Sequence, residues 1–499
     1  MIKSYSNVGY EGCIVDVEVD FSDKRKALVL AGIPDSDVPL TKEVSRAAAE
    51  ASGFPFPEKS IRVSLSPCEI RKPDDYEFAV ALAVIAKSRN LTDTDIFCMG
   101  IMNIRGEITT TFRGVQAGLM SAADAGIKYA VLPFETKENL VEIPDGIKVA
   151  FCGTLKDAVI AISAIGTSQE DMFFDEKSEH VEKDGFFPDD TPDDTPFLPE
   201  FSEKTVFAVI AAAAGKHSIL LWGNDINQCD NALLRMEQIT PYLTESERRT
   251  TNRIHSIAGC FTNDITKYLA PFRIPYKKYT AIESMCGGGT NGSPGTISLA
   301  HNGTLLLFDA AEFHSSVLQM LRVPQRNHSI IISRAGHSTT YPADFQLGIT
   351  MKACPCGFRG AKNGRCLCST SVIEMYVDRV AKPLLDNIEI VVKAEPYKDG
   401  DKIYTYGEAK EIVRTAIETQ RERGFYNRNA SPEFIQQTEE ELGIDGNDLP
   451  PADCTALKNR IKLARTLADI KGTVSVSCGD YISAESLRDT EPLCGFGEK

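Results

Sequence analysis

The stretch Pro294-Gly-Thr-Ile-Ser-Leu-Ala-His-Asn-Gly-Thr-Leu-Leu-Leu-Phe-Asp309 ends in a short apolar run, which is typical of a buried β-strand. Comparable runs occur at Ser218–Trp222, Phe345–Thr350 and Ile388–Val392. The Ala-rich segment Thr205–Ala214 precedes the first of these runs and predicts a helix. Because short buried strands separated by helical segments are typical of α/β proteins, this part of the chain predicts a parallel α/β sheet domain.

The first part of the chain, residues 1–165, predicts a second α/β domain. Strand-forming residues cluster in Cys13–Phe21 and Ile61–Leu65, whereas Lys42–Ser52 and Tyr76–Ser88 are rich in alanine and have helical spacing. At 499 residues the chain is too long for one hydrophobic core, so about two to four domains are expected.

The remaining segments predict a linker and a helical lid around the sheet domain, which we place at residues 201–400. Residues 166–200 hold twelve acidic residues and two lysines, and they include the proline-spaced run Asp189–Pro196. Such a composition cannot bury enough apolar surface to fold alone, so this segment predicts an acidic linker. Residues 401–499 show helical patterns and predict a small helical lid domain.

The bulk composition predicts a cytoplasmic protein without a membrane span. No apolar run reaches the roughly 18 residues that a spanning helix needs, and the first residues lack the layout of a signal peptide. Most of the fourteen cysteines are expected to be reduced thiols. The net charge of -16 is concentrated in the linker, so it says little against a local basic loop that contacts DNA.

Several strings resemble the ComM/YifB magnesium-chelatase-like AAA+ family. Pro294–Thr304 is similar to that family's PGEISLAHNGV segment, and Phe345-Gln-Leu347 followed by Cys354-Pro-Cys-Gly357 is similar to its FQL and NPCPCG strings. Further similar blocks are Arg379–Ile388, Leu463–Ile470, Gly53–Pro57, Leu65–Pro67 and Gly100–Gly106. The resemblance implies a Lon-protease-like α/β N-terminal domain, an AAA+ parallel α/β sheet domain and a C-terminal helical lid. It also implies a hexameric ring that uses ATP to move DNA branch points during natural transformation.

The resemblance further implies a phosphate loop after the first strand of the sheet domain, where family members carry GPPGxGKS/T. Such a loop needs glycines that let backbone N–H groups contact phosphate, a Lys for the β- and γ-phosphates and a Ser or Thr for magnesium. Here the string is Gly223-Asn-Asp-Ile-Asn-Gln-Cys-Asp230, with Cys229 at the Lys position and Asp230 at the hydroxyl position. The carboxylates of Asp225 and Asp230 would repel a nucleotide. The degenerate loop positions are Gly223, Asn227, Cys229 and Asp230.

The other catalytic positions implied by the resemblance are also replaced. The Walker B strand should end in Asp-Glu, but an ungapped alignment puts Phe308 and Asp309 there, and a one-residue shift puts Asp309 and Ala310 there. The sensor 1 Asn, the arginine finger and the sensor 2 Arg correspond to Lys352, Asn387 and Thr455. The degenerate catalytic positions are therefore Asp309, Lys352, Asn387 and Thr455, and we expect neither ATP nor Mg²⁺ to be a cofactor.

The spacing Cys354-x-Cys356 and Cys366-x-Cys368 predicts a structural zinc site, because four thiolates are a typical structural zinc set. Four reduced cysteines in a surface hairpin, or an iron–sulfur cluster, are the alternatives. The same loop is basic, so it could contact a DNA backbone. Its basic residues are Lys352, Arg359, Lys362 and Arg365.

These observations favour a catalytically degenerate ComM-like AAA+ protein, that is, a pseudo-ATPase that acts as an assembly or DNA-associated accessory factor in DNA uptake or recombination. A Ser–Lys protease is not expected, because the corresponding stretch Lys72–Glu77 contains no Ser. The expected partners are copies of the chain, up to a hexamer, or an active AAA+ paralogue, together with DNA. An active ATP-dependent branch-migration helicase with an unconventional site and a regulatory subunit of a magnesium-chelatase-like complex remain the alternatives.

Overall fold

The computed structural model describes most of the chain, and everything below refers to that part. The described residues are 1–7, 9–23, 27–67, 76–91, 93–110, 113–176, 186–188, 192–260, 268–276, 280–289, 292–334, 337–360, 364–444 and 451–490. No helix within these ranges is both long and apolar enough to cross a membrane.

A mixed β-sheet forms the centre of the N-terminal domain. The elements of this domain are β1 (Ile2–Ser6), β2 (Cys13–Ser22), β3 (Ala27–Ala31), α1 (Val38–Ala51), β4 (Ser60–Ser66), α2 (Glu77–Arg89), β5 (Ile96–Cys98), β6 (Ile101–Met102), β7 (Ile108–Thr109), α3 (Val115–Asp124), β8 (Tyr129–Pro133), β9 (Lys148–Cys152) and α4 (Leu155–Ala164). Seven strands pair in the order β3-β4-β2-β1-β5-β8-β9. Every residue of α2 from Glu77 to Ala86 is buried, because its small and apolar side chains pack on all sides of the helix.

A parallel sheet forms the centre of the second domain. The elements of this domain are α5 (Glu203–Gly215), β10 (Ile219–Gly223), α6 (Ile226–Arg235), α7 (Glu245–Ala258), β11 (Phe272–Arg273), α8 (Ile282–Cys286), β12 (Gly287–Gly288), β13 (Ser293–Pro294), α9 (Thr296–Leu299), β14 (Thr304–Leu307), α10 (Ser315–Met320), α11 (Arg322–Asn327), β15 (Ser329–Arg334), β16 (His337–Pro342), β17 (Gln346–Lys352), α12 (Thr370–Leu384) and β18 (Ile390–Lys393). The sheet order is β11-β14-β17-β10-β18, and all four pairings are parallel. The central strands β10 and β14 are buried along their whole length, as expected for a parallel sheet covered on both faces.

The third part of the chain is helical and packs onto α5. Its helices are α13 (Tyr406–Arg423), α14 (Pro432–Leu442), α15 (Pro451–Ile470) and α16 (Cys478–Ser486). Thr405 and Ser477 begin α13 and α16 with reciprocal capping boxes to Glu408 and Asp480, which satisfy free N–H groups of each first turn. The apolar faces of α13 and α15 share one core with α5 and with strands β10 and β18.

The predicted fold class is confirmed. The runs predicted as strands in the sheet domain correspond to β10, β14, β17 and β18, and the Ala-rich segment before them is α5. In the first domain the predicted helices and strands correspond to α1, α2, β2 and β4. The parallel pairing follows from the alternation of strands and helices, as expected.

The two ends of the predicted acidic linker pack against the domains that flank it. Phe174 is buried in the core of the N-terminal domain, whereas Phe197 and Leu198 are buried against the lid helices. Residues 177–185 and 189–191 lie outside the described ranges. The boundaries of the linker and of the other predicted domains therefore stay predictions.

Helices α3 and α7 join the N-terminal domain to the sheet domain. The Arg253 side chain is only 8% exposed, and its guanidinium lies 3.2 Å from the carboxylate of Asp124. Ser256, in the last turn of α7, accepts two hydrogen bonds from the start of α3. Its carbonyl oxygen accepts one from the backbone N–H of Gly114 at 2.8 Å, and its Oγ accepts one from the backbone N–H of Ala117 at 3.2 Å. Since Ser256 caps the free N–H groups of α3, the first turn of α3 lies directly on α7.

Candidate nucleotide site and four-cysteine cluster

The carboxyl ends of three parallel strands bring the predicted phosphate loop, Walker B residue and sensor 1 residue together. In the sheet register, Gly223 of β10 lies beside Lys352 of β17, and Leu307 of β14 lies beside Ile349. Asp309 follows β14 by two residues and lies at the same edge. This is the edge at which open α/β sheets bind their ligands.

The loop between β10 and α6 uses its own carboxylate at the helix N-terminus. Asp225 is the N-cap of α6, and its Oδ1 accepts the backbone N–H of Gln228 at 3.2 Å. Free N–H groups at a helix N-terminus are the groups that bind phosphate in nucleotide-binding loops. An aspartate therefore occupies the position in which a phosphate would be bound.

The residues at the Lys and hydroxyl positions point away from solvent. Cys229 is 1% exposed, and burial raises the pKa of its thiol to about 12. Its side chain packs between α6 and the sheet, whereas Asn227 is exposed. Asp230 accepts a hydrogen bond from the hydroxyl of Thr350, with 2.5 Å between the two oxygens. Neither side chain is free to reach a nucleotide from its present position.

A continuous hydrogen-bond network crosses the ends of the strands. The Thr350 hydroxyl oxygen, which donates to Asp230, also accepts the backbone N–H of Asp309 at 2.9 Å. The carboxylate of Asp309 accepts from Lys352 Nζ at 2.6 Å with one oxygen and from the Tyr376 hydroxyl at 3.3 Å with the other. Both oxygens of the Asp309 carboxylate are thus engaged by side chains of the chain itself.

Asp309 is the centre of this network. It is 3% exposed and has a left-handed backbone conformation with φ 51°. Burial and the nearby Asp309 carboxylate raise the pKa of Tyr376 far above its usual range, so Tyr376 remains a hydroxyl donor. Asp309 lies at the crevice, whereas Phe308 packs against the core beneath the sheet.

Asn387 and Thr455 lie near the amino ends of the strands, opposite the carboxyl ends where the predicted phosphate loop lies. Both line a cavity of about 320 Å³ that also contacts Ser218 and Glu389, the residues immediately before β10 and β18. Arg326 Nε donates to Asn387 Oδ1 at 3.5 Å. A strand of five residues is about 17 Å long, so these two positions do not share a site with the phosphate loop of the same chain.

The four predicted metal ligands come together. The Sγ atoms of Cys354, Cys356, Cys366 and Cys368 all lie within 4.8 Å of one another. Three of the Sγ–Sγ distances are 3.3, 3.6 and 3.6 Å, and zinc bound by four thiolates at about 2.3 Å requires about 3.8 Å. The four thiols are therefore close enough to share one metal ion, and the donor set fits zinc.

The backbone around the cluster is shaped for a metal. Gly357 has a positive φ of 79°, which lets the chain turn directly after Cys356. A hydrogen bond from the backbone N–H of Phe358, together with hydrogen bonds from neighbouring cysteines, lowers the pKa of the Cys356 thiol to about 6. Burial and the neighbouring thiols raise the pKa of Cys366 to about 12. Backbone N–H groups aimed at a thiolate, as at Cys356, stabilise the charged form that binds metal.

The cluster lies directly beside the degenerate phosphate loop. The N–H of Ala353, next to Cys354, donates to the carbonyl of Gly223 at 3.3 Å. Gly357 is also close to this loop. A β-carbon added to Gly357 would lie 4.0 Å from the carbonyl oxygen of Asn224 and 3.8 Å from the Lys352 side chain. The four-cysteine loop is thus packed against the edge at which a phosphate group would enter.

The sequence analysis did not identify two residues of this hydrogen-bond network, Thr350 and Tyr376. Thr350 precedes Lys352 by two positions in a strand, so a shared face could have been expected. Tyr376 gave no local signal, because it reaches Asp309 only through the packing of α12 beneath the strand ends. Lys362 of the basic loop and residues 72–75 of the stretch tested for a protease lie outside the described ranges.

The sequence is similar to known proteins over nearly its whole length. The family described as "Magnesium chelatase, subunit ChlI" matches residues 201–402, and that described as "Subunit ChlI of Mg-chelatase" matches residues 17–136. Uncharacterized protein YifB of Escherichia coli is 27% identical, with 99% of this chain and 97% of YifB aligned. Competence protein ComM of Haemophilus influenzae is 27% identical, with 95% of this chain and 94% of ComM aligned. An uncharacterized protein of Mycobacterium tuberculosis is also 27% identical, with 97% of each chain aligned.

The two family matches lie on the sheet domain and on the N-terminal domain, and their order agrees with the order of the domains in the structure. The full-length relatives share that order and length. The chain belongs to the magnesium-chelatase-like AAA+ family that includes YifB and ComM.

Proposed function

We propose that this chain is a ComM-like AAA+ protein that does not run its own ATP cycle and that acts as an assembly or DNA-associated accessory factor. The observation that carries the proposal is the ion pair between Lys352 and Asp309, the residues that the alignment assigns to the sensor 1 and Walker B positions. In a working site the Walker B carboxylate holds the water shell of Mg²⁺. Here the ammonium group of Lys352 supplies the positive charge.

The electrostatics of the crevice support this proposal. Two further carboxylates, those of Asp225 and Asp230, lie near the Lys352–Asp309 pair at the strand ends, where they accept hydrogen bonds from neutral donors. A like-charge contact at 4 Å costs about 4 kcal/mol at the effective dielectric constant near a protein surface. A triphosphate would approach the negative charges of Asp225 and Asp230 without the Lys that normally reaches its β- and γ-phosphates. Magnesium would have to displace Lys352 before it could bind Asp309.

The four-cysteine cluster supports a structural role for zinc. Four thiolates leave no open position for water, so zinc held by Cys354, Cys356, Cys366 and Cys368 would not be catalytic. The ion would fix the loop that follows β17 against Gly223. We propose that zinc thereby keeps the strand ends in their packed arrangement without nucleotide.

The relatives support a role beside DNA. One of them carries the name competence protein ComM, and we propose that this chain also works in DNA uptake or recombination. A framework that remains intact around a replaced site suits a subunit that assembles with copies of itself or with an active AAA+ paralogue. The basic side chains of Arg359 and Arg365 flank the cysteine loop and offer contacts for a phosphate backbone.

The test is ATP binding and turnover by the purified full-length chain, with and without Mg²⁺ and single-stranded DNA. We expect no saturable binding of ATP at the phosphate loop and no turnover, together with oligomers or paralogue complexes that form without nucleotide. The Asp309→Asn variant is the matched control. DNA-stimulated hydrolysis that disappears in Asp309→Asn would overturn the proposal and favour an active helicase. A chain that stays monomeric and captures no paralogue would overturn the assembly role.

A further inference from the structure

A second site lies at the amino ends of the strands, between the sheet domain and the lid. The cavity there measures about 320 Å³, which is within the lower range of small-molecule sites. Asn387 contributes from the turn before β18, Arg428 from the turn between α13 and α14, and Lys458 and Lys462 from α15.

Two buried donors in this cavity have no partner among the described residues. The Arg428 side chain is 9% exposed, and its guanidinium bonds Asp344 with Nη2 and Asn429 Oδ1 with Nε, the latter at 3.4 Å. Its Nη1 is buried without a hydrogen bond, and so is the Nδ2 of Asn387. Gln325, which also lines the cavity, has one unpaired buried acceptor, its Oε1. Because an unpaired buried donor is costly, the two donors favour an acceptor bound between them.

The charge of the cavity favours an anion. Its wall contains four basic residues and two carboxylates, namely Arg326, Arg428, Lys458, Lys462, Asp386 and Glu389. Burial lowers the pKa of the Lys462 ammonium group. The Glu389 carboxylate already accepts the backbone N–H of Ser218 at 2.9 Å. Lys462 Nζ donates to the backbone carbonyl of Arg428 at 2.7 Å, which fixes the ammonium group at the turn that carries Arg428.

We propose that this cavity binds a phosphate group, held by Arg428, Asn387 and the ammonium groups of Lys458 and Lys462. A phosphate group offers oxygen acceptors in several directions, as two separate unpaired donors and two ammonium groups require. The ligand would connect the turn before β18 to α15 and would thus hold the lid on the sheet domain. The group can come from inorganic phosphate or from a nucleotide, and both present the same chemistry to these donors.

The test is calorimetric titration of the full-length protein with inorganic phosphate in phosphate-free buffer. We expect saturable binding of one phosphate per chain. Asn387→Ala and Lys458→Gln should each weaken it about tenfold, because each removes one charge-assisted contact. Lys382→Gln, which changes an exposed lysine on α12, is the matched control and should bind as the parent does. No saturable heat at millimolar phosphate, or unchanged affinity in both cavity variants, would overturn the proposal.

Titrations with AMP and ATP identify the source of the phosphate group. A nucleotide ligand in this cavity is indicated if AMP or ATP binds the parent more tightly than inorganic phosphate does and if the Asn387→Ala variant binds that nucleotide more weakly than the parent. Equal affinity for phosphate and AMP indicates that only the phosphate group is recognised. ATP binding that is lost in Asp309→Asn and kept in Asn387→Ala would count against the proposed function instead, because it would locate ATP at the phosphate loop.

Discussion

Lys352 Nζ lies 2.6 Å from Oδ2 of Asp309. Lys352 is the last residue of β17, and Asp309 follows the neighbouring parallel strand β14. The Asp309 side chain is 5% exposed and that of Lys352 is 27% exposed, so the pair is mostly shielded from water. The other oxygen of Asp309 is held by Tyr376. Under the proposed function the pair acts as structure, because magnesium would have to displace Lys352 to reach the carboxylate.

Lys352→Met should reduce the free energy of unfolding by about 3 kcal/mol, because it leaves the carboxylate of Asp309 buried without its counter-charge. Urea unfolding measures this loss. Lys382→Met is the control, since the Lys382–Asp378 pair has the same 2.6 Å distance but side chains that are 76% and 45% exposed. We expect that variant to lose no more than about 1 kcal/mol. Equal losses in the two variants would contradict a structural role for the Lys352–Asp309 pair.

Cys229→Lys restores the residue type of a working phosphate loop, yet it should produce no ATPase activity. The thiol is 1% exposed and packs against Gly223 and the core below α6. A larger charged side chain there should cost at least about 3 kcal/mol of stability, because it overpacks the site and buries a charge. The measurements are ATP turnover and the urea midpoint. Turnover in a variant that is as stable as the parent would show that the rest of the site is competent.

Much of the fold could be predicted because its strands are continuous apolar runs. Leu305–Leu307 and Ile219–Trp222 are buried on both faces. They could therefore be predicted as strands from their local sequence, without knowledge of distant contacts. The hairpin of β15 and β16 was not predicted, although the run Ile330–Ile332 is strand-like. The two-residue strand β11 was not predicted either, since so short a segment has no periodicity of its own.

The candidate site was predicted only in part. The cysteine ligands could be grouped because each C-x-C pair is local in the chain, and the cluster brings the two pairs together. Lys352 and Asp309 were placed by alignment, but their contact depends on the strand order of the sheet. The cavity beside Arg428 combines a turn, α15 and the start of β18, and such a combination exists only after the lid has packed.

Purified protein should contain one zinc ion per chain. Cys366→Ser should lose the metal, because three thiolates and a hydroxyl bind zinc far more weakly than four thiolates do. We also expect a lower unfolding temperature, since the loop that follows β17 would no longer be fixed against Gly223. Elemental analysis by mass spectrometry and thermal unfolding measure these effects. Cys478→Ser changes an exposed cysteine outside the cluster and should keep both the metal and the stability. Zinc retained in Cys366→Ser would contradict the assignment, and iron in the parent would identify a cluster of another kind.

Stability should fall steeply as the pH drops from about 6.5 toward about 4, because three histidines are buried in their neutral form. Burial lowers the pKa of His217 to about 3, and that of His255 and of His301 to about 4, from a usual value of 6.5. For His217 the nearby cations Lys462 and Arg428 add to the effect. The folded state thus binds fewer protons than the unfolded state in this interval, so acid favours unfolding. Each histidine contributes a slope of up to about 1.4 kcal/mol per pH unit.

His217→Gln should make this pH dependence shallower between about pH 6.5 and 5, since it removes one of the three buried histidines that each give a slope of up to about 1.4 kcal/mol per pH unit. Below that range carboxylates whose pKa is lowered, such as Glu247, add to the slope. A glutamine amide can still bond Thr466, whose Oγ1 lies 2.6 Å from Nε2 of His217, so the packing is expected to persist. The measurement is the midpoint of urea unfolding in a pH series for the parent, for His217→Gln and for the control His314→Gln, which changes an exposed histidine. The control should reproduce the slope of the parent. If His217→Gln also keeps that slope, the acid sensitivity arises elsewhere, because a histidine that stays neutral only in the folded state must contribute to it.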